Sequence, residues 1–145
     1  MAEIVSLRQD RDYAFFNDFG PAGEIRTDEA PPVGGGSGPT PVQLLEAAVG
    51  NCLAASLLFS LRKFKQSPEP IHARVEAEVG RNEQKRMRVL RLKARLVLGV
   101  PAASLGEHLA RALAQFEDFC TVTASVRAAL PVDVEVYDSD GKRLK

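Results

Sequence analysis

The chain has 145 residues, 45% of them hydrophobic, which is the length of one domain with enough apolar content for a real core. Its 19 basic residues balance 19 acidic ones, so the formal net charge is zero, and that argues against a general nucleic-acid binder, because such proteins carry a basic excess. The start, Met1-Ala2-Glu3-Ile4, lacks a basic region followed by an apolar block, and the most apolar window, residues 44–60, contains Glu46, Gly50 and Asn51; the expectation is a cytoplasmic protein with no secretory signal and no membrane span.

The first third is short and punctuated. Ile4 to Leu7, Tyr13 to Phe19 and Glu24 to Thr27 read as strands, with Asp10-Arg11-Asp12 and Gly20-Pro21-Ala22-Gly23 as the turn chemistry between them. An antiparallel meander is expected. Pro31 to Pro39 is too rich in glycine and proline for a regular element. Such a loop before a helix can cradle phosphate, but the lysine and hydroxyl of the nucleotide-binding pattern are missing and Pro41 deletes an amide, so a connecting loop is the better reading.

A helix follows with a clear beginning. Thr40 suits the N-cap, Pro41 the first helical position, and Gln43 completes a capping box. The pattern predicts a helix to about Lys65, apolar nearly all round from Leu44 to Leu61 and therefore buried on most sides. Arg62, Lys63 and Lys65 favour its C-terminal end through the dipole, and Pro68 and Pro70 stop it. A helix so apolar is hard to cover in a chain this short, so a second copy is expected to cover it in a homodimer.

Residues 71–79 then alternate, with Ile71, Ala73, Val75, Ala77 and Val79 on one face and His72, Arg74, Glu76 and Glu78 on the other. After a polar turn, Leu90, Leu92, Ala94, Leu96 and Leu98 alternate with basic residues, which predicts a hairpin with acidic side chains set near basic ones. Ser104 and Glu107 suggest a capping box, and Leu105, Leu109, Leu113 and Phe116 the inward stripe of a second helix ending near Phe119. Pro131 to Tyr137 reads as a last strand, and Lys142 to Lys145 as a frayed tail. The sum is a single α+β domain spanning residues 1–145.

The chemistry-bearing residues are two cysteines, Cys52 within the apolar helix and Cys120 just past the second helix. In a chain with no export signal they read as reduced thiols rather than as a structural disulfide. A reactive thiol is a thiolate, and burial in apolar surroundings works against that form. The dipole of its own helix cannot help Cys52, which lies twelve residues past Thr40, about 18 Å along the axis. A cation from the N-terminal strands, Arg11 or Arg26, is the expected source. Free cysteine is also among the most buried residue types, and an inert apolar filler is the plainer reading of Cys52 from the residues alone. His72 and His108 have no metal-ligand spacing with the cysteines, so neither a metal nor a cofactor is expected. The seven phenylalanines could line an apolar pocket, although core packing accounts for most of them more simply.

The run Gly38-Pro39-Thr40-Pro41-Val42-Gln43-Leu44-Leu45-Glu46-Ala47-Ala48-Val49-Gly50-Asn51-Cys52, followed by Phe119-Cys120-Thr121-Val122-Thr123-Ala124-Ser125-Val126 and Pro131-Val132-Asp133-Val134-Glu135-Val136, resembles the OsmC/Ohr family of osmotically inducible and organic hydroperoxide resistance proteins. The resemblance implies an OsmC-like fold: antiparallel sheets with a long buried central helix and a second helix, in an intertwined homodimer. It implies a cofactor-free, thiol-dependent peroxidase in which Cys52 attacks an organic hydroperoxide and becomes a sulfenic acid, Cys120 resolves it to a disulfide, and a lipoyl-type or small-thiol reductant restores both. It further implies an activating arginine in the turn after the first strand, where Arg11 matches and Arg26 is the fallback, with Arg26 otherwise read as a solvated surface charge. One departure stands out: the hydroperoxide branch carries a glutamate after the helix-opening proline, where this chain has Val42 and then Gln43. That departure favours the broader OsmC-like branch and leaves open a second reading, a non-catalytic dimer that binds a small hydrophobic or thiol-containing ligand in stress response, and a third, a dimer with no ligand.

Overall fold

The structure, a computed structural model, describes all residues from Met1 to Lys145. The chain divides into two compact units, Met1–Leu45 and Glu46–Lys145.

The first unit is the expected meander. Strands β1 (Ser6–Arg11), β2 (Ala14–Asp18) and β3 (Glu24–Thr27) pair antiparallel in that order. Asp12, at a φ of 48°, makes the tight β1–β2 turn, in the left-handed region that aspartate tolerates better than most residues. The glycine-rich loop closes on Asp28, whose carboxylate accepts the amides of Glu29 at 2.8 Å, Gly35 at 3.1 Å and Ser37 at 3.0 Å, and the Ser37 hydroxyl at 2.7 Å. The donors that could have met a phosphate are therefore directed at a carboxylate of the chain itself. Gly38 is needed here, because a Cβ at that position would lie 2.3 Å from the Arg26 carbonyl oxygen.

Helix α1 (Pro41–Lys63) begins with the predicted capping box: the Thr40 amide donates to Gln43 Oε1 at 2.9 Å and the Gln43 amide to Thr40 Oγ1 at 3.2 Å. In the second unit its buried line is Val49, Gly50, Leu53, Ser56, Leu57, Ser60 and Leu61. Leu53, Leu57 and Leu61 are fully buried. Gly50 lets the helix approach Val75, whose Cγ2 lies 3.0 Å from where a Cβ would stand. Ala47, Asn51, Ala55 and Phe59, four residues apart, are exposed. The expectation of burial on most sides holds for one face only. The helix is long and apolar enough to cross a membrane by length and composition alone, as the core helices of soluble proteins also can be.

The second sheet runs β4 (His72–Arg81), β5 (Met87–Val97), β6 (Val132–Tyr137). The β4–β5 hairpin is antiparallel and sets Glu76 opposite Lys93 and Glu78 opposite Arg91, as the charge pattern anticipated. The ion pairs themselves form elsewhere, Arg74 with Glu76 along β4 at 2.8 Å and Arg91 with Asp133 across to β6 at 3.2 Å. Leu92, Ala94, Leu96 and Leu98 are buried, so the alternation of β5 reports its inward face correctly. β6 lies parallel to β5, which makes this sheet mixed rather than antiparallel throughout. A parallel neighbour needs a crossover, and the helical segment between the two strands supplies it.

That segment and the tail after β6 differ from expectation in three ways. Ser104 ends a short 3-10 turn, Ala102–Ser104, and caps nothing; α2 (Leu109–Gln115) starts after His108 with no side-chain cap. The apolar stripe was nonetheless real, since Leu105, Leu113 and Phe116 are buried. A 3-10 turn, Phe116–Phe119, leads into a third helix, α3 (Thr121–Arg127), which the sequence pattern did not signal. Its residues Thr121, Val122, Thr123 and Val126 are β-branched and poor helix formers in isolation. The C-terminal residues are not frayed either: Leu144 donates to the Val136 carbonyl at 2.8 Å, Arg143 bridges to Tyr137, and Lys145 Nζ pairs with Glu117.

Candidate functional site

Two constellations carry the residues singled out by sequence, one in each unit. In the first unit Arg11 stands at the end of β1, where the register with β2 shifts so that it faces Ala14. It is exposed and makes no ion pair. Arg26, on β3, is not the solvated charge expected of it: its side chain is 27% exposed, its Nη2 donates to Asp10 at 2.7 Å, and its buried Nε has no partner. Both guanidinium-bearing residues line one cavity of about 260 Å³ with Asp28 and Ser37. Asp28 is held ionised down to a pKa of about 2, chiefly by the hydroxyl and amide of Ser37, against a contribution from burial and with smaller help from the Glu29 and Gly35 amides.

In the second unit the structure brings the two cysteines together, both as free thiols. Cys52 is half-buried on α1, and Cys120 is fully buried at the N-cap of α3. Burial pushes the Cys52 thiol up. The Cys120 side chain, the backbone amides of Val122 and Thr123 and the Ser56 side chain together outweigh that, and Cys52 ends below the ordinary thiol value. Cys120 goes the other way: burial pushes it up, the neighbouring Cys52 side chain pushes it further, and the hydroxyl and amide of Thr123 offset only part. The pair is therefore asymmetric, the Cys52 thiol lowered and the Cys120 thiol raised.

The dipole of α1 is indeed out of reach, but Val122 and Thr123 are the second and third residues of α3, whose first-turn amides have no partners within their own helix. These two amides act together with the Cys120 and Ser56 side chains in lowering the Cys52 thiol. This was invisible in sequence because α3 was.

The carboxylate nearest the start of α1 is also accounted for. Glu46 Oε1 accepts the Ala77 amide of β4 at 2.7 Å, so it ties helix to sheet. The phenylalanines divide otherwise than expected. Phe116 alone is buried, whereas Phe59 and Phe119 are 58% and 49% exposed and meet edge to face at 5.9 Å. Phe59 lies two turns along α1 from Cys52, about 10 Å away on the same helix face, and Phe119 directly precedes Cys120. His72 is exposed on β4, and His108 stacks on Phe64 at 4.8 Å. No group of three metal-binding side chains occurs.

The fold and the thiol pair define a class of α+β proteins with one cysteine in a long helix and another at the start of a short one. The family profile of OsmC-like proteins matches residues 34–135, and the chain belongs to that family. A search of curated proteins found no match. Among solved structures, the chain is similar to a putative osmotic stress induced and detoxification response protein from Psychrobacter arcticus, with a TM-score of 0.78 at 16% identity over 94% of this chain and 96% of that one. It is similar to the organic hydroperoxide resistance protein OhrB of Bacillus subtilis, with a TM-score of 0.71 at 16% identity over 94% and 98%. A hypothetical protein from Aquifex aeolicus has a TM-score of 0.76 at 20% identity over 96% and 97%. At these identities the likeness is one of fold.

Proposed function

We propose that this protein is a thiol-dependent peroxidase that reduces organic hydroperoxides as a homodimer. The observation that carries the reading is the asymmetric thiol pair, because a peroxidatic sulfur has to be the thiolate and its resolving partner has to stand beside it. In this account Cys52 attacks the outer oxygen of the hydroperoxide, the alcohol leaves, and Cys52 becomes a sulfenic acid. Cys120 then displaces water to form the Cys52–Cys120 disulfide, which a dithiol of lipoyl type or a small thiol reduces. Arg11 is the guanidinium assigned to orient the peroxide oxygens, since Arg26 is already held by Asp10. The exposed Phe59–Phe119 pair offers apolar surface for an organic substituent.

Reduced protein treated briefly with cumene hydroperoxide and analysed by mass spectrometry after digestion tests this. The Cys52 and Cys120 peptides are expected as one disulfide-linked species, and Cys52→Ser is expected to lose dithiol-driven turnover entirely. Two unmodified thiols, or turnover surviving in the serine variant, would refute the peroxidase. The opposing reading, a non-catalytic dimer that binds a small hydrophobic or thiol ligand, has one observation on its side: Val42 occupies the position of the hydroperoxide branch's glutamate, and Glu46 is engaged with β4 instead.

A further inference from the structure

We infer that the buried hydroxyl of Thr123 is a positioning residue for the Cys120 thiol, holding its sulfur ready to attack an oxidised Cys52. The inference rests on the peroxidase reading and adds a residue to it. Thr123 and Cys120 are both fully buried, and the Cys120 thiol donates to Thr123 Oγ1 at 2.9 Å, three residues along the chain. That is the only side-chain hydrogen bond Thr123 makes. A threonine hydroxyl in a helix commonly bonds a carbonyl one turn back, whereas this one meets the sulfur one turn back. A dry site favours valine over threonine unless the hydroxyl is used, because an unsatisfied hydroxyl there is costly. The sulfur of Cys120 is its use.

The chemistry gives the hydroxyl two successive tasks. In the resting pair it accepts from the Cys120 thiol and fixes the direction of that sulfur. Once Cys52 carries a sulfenic acid, the Cys120 sulfur bonds to the Cys52 sulfur, the Cys52 S–O bond breaks, and the departing hydroxide takes the Cys120 proton and leaves as water. Cys52 is reduced as Cys120 is oxidised, and the two electrons taken by the hydroperoxide now correspond to one disulfide. As negative charge develops on the Cys120 sulfur, the threonine hydroxyl rotates from acceptor to donor. Valine can do neither task and serine can do both.

Single-turnover reaction of the reduced full chain with cumene hydroperoxide separates the steps, with sulfenic acid trapped by dimedone and disulfide counted by mass spectrometry at each time. Thr123→Val keeps the backbone amide that acts on Cys52, and in it the rate of disulfide formation relative to sulfenic acid formation is expected to fall about tenfold, the size of one lost hydrogen bond. Dimedone adduct then accumulates on Cys52, and sulfinic acid appears at high peroxide. Thr123→Ser should resolve within about twofold of wild type by the same measure. Should valine prevent folding, Thr123→Ala needs no extra room and makes the same test. A hydroxyl-free variant that forms the disulfide as fast as wild type, or a serine variant as slow as valine, overturns the inference while leaving the peroxidase intact. A wild type that forms neither sulfenic acid nor disulfide overturns the peroxidase, and the inference with it.

Discussion

Glu46 tests whether the carboxylate on α1 belongs to the architecture or to the chemistry. Its Oε1 accepts the Ala77 amide at 2.7 Å, a bond between α1 and the edge strand β4. A hydrogen bond to a charged acceptor contributes about 1.5–3 kcal/mol, and removing the acceptor leaves a half-buried amide without a partner. Glu46→Ala gains back a few tenths of a kcal/mol from alanine's better helix propensity, so the net loss is about 1–2 kcal/mol. At this chain length that corresponds to a fall in melting temperature of roughly 3–6 °C. Glu46→Gln keeps a carbonyl oxygen in place and should lose less than half as much. Urea denaturation with an unchanged m-value, beside calorimetry, would measure both variants. The rate of Cys52 sulfenic acid formation should stay within about threefold of wild type in each, because no reacting atom is addressed. If Glu46→Ala melts like wild type but forms sulfenic acid a hundredfold more slowly, the carboxylate serves the reaction and the structural argument is wrong.

Two further predictions concern protonation. Asp28 has a folded pKa of about 2 against an ordinary 3.8; a depressed carboxylate contributes stability that is present above the unfolded value and lost as pH falls through the folded one. Its contribution should therefore fade between about pH 4 and pH 2, and Asp28→Asn should flatten the acid limb of a circular-dichroism melt series in that window; an unaltered acid limb would remove Asp28 as its cause. For the thiols, burial raises Cys52 but the Cys120 side chain and the α3 amides outweigh it, so alkylation by iodoacetamide should reach Cys52 at pH values where Cys120 stays unmodified. Cys120→Ala removes the first of these lowering influences and should move the alkylation profile of Cys52 to higher pH; a profile that does not move would show that the neighbouring side chain contributes nothing.

Local patterning was enough for most elements. The meander, the Thr40–Gln43 cap on α1, the β4–β5 hairpin and β6 are each written in residues a few positions apart, where capping hydrogen bonds and alternation act directly. The motif around Cys52 and Cys120 was likewise legible as a family resemblance, and the family profile over residues 34–135 bears it out. What sequence could not supply was the environment of those thiols. α3 is a helix made of β-branched residues, held by burial of Thr123 and by the crossover between two parallel strands rather than by its own propensity. With α3 unseen, the Val122 and Thr123 amides that act on Cys52 could not be anticipated. Glu46 likewise reveals its role only through Ala77, 31 residues away. Short-range chemistry in the sequence thus determined most of the segments that become helix and strand and the family to which the chain belongs. Long-range burial and hydrogen bonding, which depend on what tertiary packing sets side by side, decided which thiol is pushed down and which up.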